Sequence, residues 1–503
     1  MILTQSSQQL YCEYTARMQK IADVKFSASV LQWDQETYLP PKGAEFRARQ
    51  LATLSEIAHE WFIAPEMGRL LEELHARQDL GDDEQRNIAL SLEDYNRQKK
   101  FTPAFIRRLS EASSRCFHTW IQARTANSFA LYSEDLGNMI QLKKEEAALA
   151  GYEHHPYNAL LDQYEKGATV ALLDRVFTEV RQPLKDLLGR ISGSPSIEDR
   201  FLRGNYPNQQ QWDFGMGLIR QLGFDFEAGR QDLSEHPFTT NFNSLDVRIT
   251  TRVDEHDFNS MTWSCIHETG HALYEQGLPK EFYGLPLGEY ASLGIHESQS
   301  RLWENNVGRS YNWWQTIFPR LQAIFPEQLS AISPELFYKA INKVQPSLIR
   351  TEADEVSYHF HVMIRYELEK RLIDGSLAVN DIPAWWNEHY SAWLGVIVPD
   401  DKRGCLQDVH WSHGSFGYFP TYSLGSFYAA QFFAAAESQI PRLSESIGSG
   451  DTAPLLAWLR ENIHRWGRRY TSEELCQKTT GKTLEIRYFL SYLLDKYDNI
   501  YKI

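Results

Sequence analysis

Apolar residues recur three and four apart along most of this 503-residue chain, a spacing that commits it to helices packed on helices. Phe46 to Phe62, Glu66 to Gln78, Asp83 to Lys99, Phe105 to Glu146 and Leu172 to Ser192 all carry it between charged residues, with Pro183 a kink or break in the last. Stops fall at Pro40-Pro41, Pro65, Gly151, Pro156, Gly193-Ser194-Pro195 and Gly448-Ser449-Gly450. No long linker, repeat or low-complexity tract interrupts the pattern. The expectation is one continuous helical unit over 1–503, with two lobes around a groove as one form of it.

The 14 Trp, 25 Tyr and 26 Phe exclude a disordered chain and suit a large interior or a deep cleft. A formal charge of -15 argues against nucleic acid and anionic membrane as partners, because both demand clustered Lys and Arg. Neither a basic segment with an apolar core near the start nor a run of 18 apolar residues is present, so no signal peptide or membrane span is expected. Cysteines 12, 116, 265, 405 and 476 are scattered and odd in number, which supports neither a disulfide framework nor a Cys-rich metal site. A reducing cytoplasm is the expected setting, and the lack of an Asn-x-Ser/Thr sequon is compatible with it.

The most specific chemical statement is His267-Glu268-Thr269-Gly270-His271. Two histidines four apart on a helix point the same way and can share one metal ion, with Glu268 beside them as a general base, the zincin arrangement. The alternative is a helix whose histidines are merely packed. The best strand, Leu245 to Arg252, turns Asp246, Arg248 and Thr250 to one face and Val247, Ile249 and Thr251 to the other. The motif helix follows, starting near Asp257 to Ser260 and running through Trp263, Cys265, Ile266, Leu273 and Tyr274 to Gly277, with Pro279 as a stop.

A catalytic metal site needs a third protein ligand and one open position. Glu281, Glu289, His296, Glu297 and Glu304 are all on offer, and spacing alone does not choose among them. Tyr290 to Arg309 reads as a second helix with Glu297 in its interior, where the competing role is an i,i+4 pair with Arg301.

Six short motifs then occur in order: His236-Pro237-Phe238, Asp246 to Thr250 (DVRIT), His267 to His271, His296 to Gln299 (HESQ), Ile349 to Asp354 (IRTEAD) and Gly404 to Trp411 (GCLQDVHW). With Leu31 to Glu60 and the C-terminal TGKTLEIRYFLSYL, they resemble the carboxypeptidase Taq family of metallocarboxypeptidases over essentially the whole chain. The resemblance implies a mainly α fold, a large helical zincin with a deep substrate groove and a small antiparallel β-sheet near the metal site. It implies a helical N-terminal part over about 1–230 and a catalytic part over about 231–503. It also implies a homodimer and removal of one C-terminal residue at a time from peptides. In the family the ligands are the two motif histidines and the Glu of HES, which selects His267, His271 and Glu297. Zinc is the expected metal, although such a donor set also accepts cobalt or manganese.

On that basis Glu268 accepts a proton from water attacking the peptide carbonyl and later protonates the leaving amine. His410 and Tyr418 are candidates for donating to the carbonyl oxygen. The competing roles are a histidine bonded to Asp408 and an aromatic packed in a Gly/Pro turn. An exopeptidase must also bind a terminal carboxylate, best matched by an Arg fork. Arg350 is favoured over Arg248, their structural alternatives being pairs with Asp354 and Asp246; His236 lines or supports the groove. A related helical zincin endopeptidase or dipeptidase, and a noncatalytic peptide-binding scaffold, are the other readings; Glu268 speaks against the scaffold, because metal binding needs no general base.

Overall fold

Ser6 accepts the backbone N–H of Gln9 through its hydroxyl while the Gln9 side chain accepts the Ser6 N–H, a capping box that starts the first helix, Ser7–Thr37. In this computed structural model, which describes residues 5–503, most other segments with apolar three-four spacing are likewise helical. Ala44–Ile63, Pro65–His75, Asp82–Gln98 and Val170–Ser192 lie within a few residues of their expected bounds. Pro183 sits inside the last of these without ending it.

The single helix expected over Phe105 to Glu146 is instead two, Pro103–Ala126 and Ser133–Ala150. Asn127 causes the break by adopting the left-handed conformation (φ 54°) and capping the Ala123 carbonyl with its N–H. Among the described residues no helix is long and apolar enough to cross a membrane.

The chain divides into two compact units, each assembled from three stretches. One comprises residues up to Lys99, Glu198–Ile341 and Phe432–Thr483. Its core includes Tyr14, Met18 and Ile21 of the first helix with Ala58, Phe62, Met67, Leu71, Leu74 and Ile88. The other comprises Lys100–Ile197, Asn342–Gln431 and Leu484–Ile503. Within it Trp386 and Trp411 are fully buried, their ring centroids 6.0 Å apart in an edge-on contact.

The first unit also contains the sheet, β1 (Gly229–Leu233), β2 (Thr239–Asn243) and β3 (Asp246–Thr251), in the order β1-β3-β2. It is mixed and not purely antiparallel as expected. Two residues link β2 to β3, which forces an antiparallel pair, with Thr239 opposite Ile249. β1 lies on the other edge of β3 and pairs with it in parallel, Gly229 opposite Val247. β3 shows the expected alternation at Val247 and Ile249, which are fully buried, while Asp246 and Arg248 are partly exposed; Thr250 and Thr251 are buried as well.

Candidate metal centre

The motif helix, Phe258–Glu275, begins where the Asp257 side chain accepts the Asn259 N–H, one residue inside the expected start region. A second helix, Leu293–Arg301, starts on Ser292, whose hydroxyl accepts the Ile295 N–H. The expected single helix to Arg309 passes at Leu302 into a π-helical turn, Leu302–Gly308. Such turns admit an extra residue and re-aim the side chains within them. Here the turn carries Glu304, which reaches back to the motif helix.

The two helices bring His267, His271 and Glu297 together, with one potential ligand atom from each within 4.8 Å of the others. Glu297 Oε2 lies 3.9 Å from His267 Nε2 and 3.6 Å from His271 Nε2. The other oxygen, Oε1, accepts a 2.7 Å hydrogen bond from Arg301 Nε, so the i,i+4 pair weighed against a ligand role is present alongside the cluster. Each carboxylate oxygen has its own task.

The outer nitrogens of both histidines are engaged. His267 Nδ1 donates to Glu304 Oε2 at 2.9 Å, and Glu304 is also bound by Arg301 and Arg309. His271 Nδ1 lies 3.0 Å from the His296 carbonyl oxygen and 2.6 Å from His296 Nδ1. His296 Nε2 donates to Glu275 Oε1 at 2.8 Å, which leaves His296 Nδ1 as the acceptor toward His271. With protons on both Nδ1 atoms, the Nε2 lone pairs of His267 and His271 face Glu297. Two neutral imidazoles and a carboxylate, oriented from behind, fit a divalent cation of borderline softness.

The electrostatics follow from burial and neighbours. Burial works against a charge on His267, but the hydrogen bond it donates to Glu304 and the nearby carboxylates of Glu297 and Glu304 outweigh it and raise its pKa. His271 is pushed well below the usual range by burial, with the neighbouring His296 and His267 acting in the same direction. Glu304 is also desolvated, yet Arg301, His267 and Arg309 hold its carboxyl far below the ordinary value. Glu268 is raised, chiefly by burial. A carboxylate raised in this way is a better proton acceptor at neutral pH.

In the sequence Glu304 and His296 stand only among the candidate third ligands downstream of the motif, and nothing there marks Glu275 at the end of the motif helix. Glu304 falls seven residues after Glu297, roughly two turns on the same side of a helix, and that spacing was the available signal. Thr239 was not singled out, although its hydroxyl lies 2.6 Å from Glu268 Oε2.

The remaining sequence candidates sit as follows. Arg248 is bound by Nε and a terminal nitrogen to the two oxygens of Asp246, each at 3.0 Å, and packs over Trp33. His236 is exposed, and its carbonyl accepts from Ser234. Arg350, His410 and Tyr418 belong to the second unit. There Arg350 is buried, with Nε 2.9 Å from Asp408 Oδ1 and a terminal nitrogen 3.1 Å from the Tyr358 hydroxyl. Its partner is therefore Asp408; Asp354 instead accepts the backbone N–H groups of Gln345, Val356 and Ser357. His410 Nε2 lies 3.2 Å from the Tyr422 hydroxyl, and its ring packs edge-on against Tyr418 at 5.5 Å. Burial, with Arg350 nearby, lowers His410 to about 3.

Comparison with known proteins gives a consistent result. The family described as carboxypeptidase Taq (M32) metallopeptidase matches residues 13–497. Thermostable carboxypeptidase 1 of Thermus thermophilus is 42% identical over 482 residues, which cover 93% of this chain and 94% of that protein. The crystal structure of the M32 carboxypeptidase from Deinococcus radiodurans R1 superposes with a TM-score of 0.97 at 38% identity, covering 98% of this chain and all of that one. The solved structure of CHT gives a TM-score of 0.96 at 60% identity over 97% of this chain and 99% of that one.

Proposed function

The chain belongs to the carboxypeptidase Taq (M32) metallopeptidase family, and from that membership we propose that it is a zinc-dependent carboxypeptidase that releases single amino acids from peptide C-termini with broad preference. The observation that carries this reading is the convergence of His267, His271 and Glu297, with their ligand atoms within 4.8 Å of one another. These three residues hold the metal, and cobalt or manganese suits the same donors.

A divalent cation held there supplies Lewis acidity, which makes water more acidic and polarises a peptide carbonyl. Glu268 takes the proton of the attacking water and returns it to the leaving nitrogen, so one carboxylate serves both transfers. Its burial and raised pKa support this role, because a carboxylate stripped of solvent binds a proton more readily. Arg350 is proposed to bind the terminal carboxylate of the substrate, with Arg248 as the alternative, and His410 and Tyr418 to donate to the scissile carbonyl oxygen. His236 is proposed to support the peptide site. The family resemblance supports a homodimer, and free cysteines at all five positions support a reducing, cytoplasmic setting.

The test is mass spectrometry of one defined peptide in free and C-terminally amidated forms, incubated with zinc-loaded protein. A ladder of one-residue losses from the free peptide and none from the amidated one is expected. Internal cleavage of both would support an endopeptidase and sink the carboxypeptidase reading. Glu268→Gln is expected to lower kcat by roughly 10²- to 10⁴-fold with zinc still bound.

A further inference from the structure

The segment containing His236-Pro237-Phe238 is tied down by one side chain of β3. Thr250 Oγ1 accepts the Phe238 N–H at 2.9 Å and lies 2.7 Å from Ser234 Oγ. The Thr250 backbone N–H in turn donates to the Phe238 carbonyl at 2.9 Å. Phe238 is thus held at both its N–H and its carbonyl, and the residue that follows has little freedom.

That residue is Thr239, which opens β2 opposite Ile249. Its hydroxyl leaves the sheet for the motif helix, lying 2.6 Å from Glu268 Oε2 and 3.1 Å from the Glu268 carbonyl oxygen. Among the described residues, Glu268 receives no other side-chain hydrogen bond. The last torsion of a Glu side chain is broad and nearly two-fold, so one donor decides which oxygen is held and which is left to exchange a proton. Thr is suited to the task because a β-branched side chain is stiff at its first torsion.

We propose that Thr239 is a positioning residue for Glu268, fixing Oε2 so that Oε1 exchanges the proton, with Thr250 fixing the segment that delivers it. The inference rests on the reading of Glu268 as proton acceptor. It gives the HPF and DVRIT motifs a shared task, since the first leads into Thr239 and the second supplies Thr250.

The test uses the full-length zinc-loaded protein with Thr239→Val, Thr239→Ser, Glu268→Gln and the Thr239→Val/Glu268→Gln double variant. Kinetics on a free peptide are read beside zinc content and thermal unfolding. Thr239→Val is expected to lower kcat by roughly tenfold to a hundredfold with KM within about twofold, the scale of a catalytic group displaced by about an ångström. Thr239→Ser restores most of kcat, the double variant loses no more than Glu268→Gln alone, and zinc content is unaltered. Thr239→Ala, read by the same thresholds, replaces the valine variant if valine lowers the unfolding temperature. A full kcat in Thr239→Val beside an inactive Glu268→Gln overturns this inference alone. A loss that Thr239→Ser shares, or one that tracks loss of zinc, also overturns it. Glu268→Gln as active as the wild type overturns both this inference and the reading it rests on.

Discussion

Gly270 and Ser300 stand closer than a side chain permits: a Cβ on Gly270 would lie 2.5 Å from Ser300 Cα and 2.8 Å from the Gln299 carbonyl oxygen. This contact lets the motif helix and the Glu297 helix approach backbone to backbone. The Gly of HETGH therefore sets how near His267 and His271 on one helix come to Glu297 on the other.

Gly270→Ala should push the two helices apart. Overpacking of this kind costs about 1–3 kcal/mol. The expected result is a lower unfolding temperature together with weaker zinc binding, measured by thermal denaturation and by competition with a chelator. Unchanged zinc affinity would show that the approach of the helices does not set the ligand distance.

Glu304→Gln should keep a hydrogen-bond acceptor beside His267 but remove the negative charge shared with Arg301 and Arg309. Partners behind metal-ligating histidines typically contribute 10- to 100-fold to metal affinity or activity, so a loss of about that size is expected in zinc affinity. A competitive zinc titration measures it, and wild-type affinity would mean that the Nδ1 contact does not orient His267.

Helix type and most boundaries were legible because periodicity and caps are local. The motif helix shows it, since the two histidines, a cap within Asp257 to Ser260 and the downstream stop are all readable from the sequence. The break at Asn127 was not legible, because Asn is tolerated inside helices and its left-handed conformation emerges only in the fold. Nor was the π-helical turn at Leu302–Gly308, although it aims Glu304 at His267. Both partners of β3 escaped too, since β1 and β2 lack its clear alternation and strand order is set by tertiary packing. Spacing left five candidates for the third ligand, and the family resemblance singled out Glu297. The partners of Arg350 and Thr239 lie 58 and 29 residues away in sequence, beyond the reach of local patterns.

Asp408 accepts from two buried guanidiniums, Arg350 at Oδ1 and Arg365 at Oδ2. Arg365 is fully buried, and both arginines hold the Asp408 carboxyl far below its usual pKa despite the desolvation that opposes them. Asp408→Ala leaves two positive charges facing each other out of water, and breaking a buried pair this way costs about 3–5 kcal/mol. Urea denaturation should show that loss. Stability within about 1 kcal/mol of the wild type would mean that water reaches the arginines and that the site is not dry.

Glu369 makes stability depend on pH. Its carboxylate is fully buried and accepts from Trp411 Nε1, the Gly417 N–H and the Tyr157 hydroxyl, yet burial outweighs these donors and raises its pKa to about 7. The folded protein therefore holds a proton there between the unfolded value of 4.5 and about 7, where the unfolded chain has already released it. Stability from this group is present below pH 4.5 and is lost as pH rises through 7, amounting to about 3 kcal/mol across the window. Glu369→Gln removes the titration. It also gives up one acceptor oxygen among three donors, so the variant starts out less stable at pH 5. The gap between wild type and variant should then close by about 3 kcal/mol between pH 5 and pH 8, read from urea midpoints at each pH. Curves that stay parallel across that range would mean that Glu369 remains ionised throughout, with its three donors outweighing its burial.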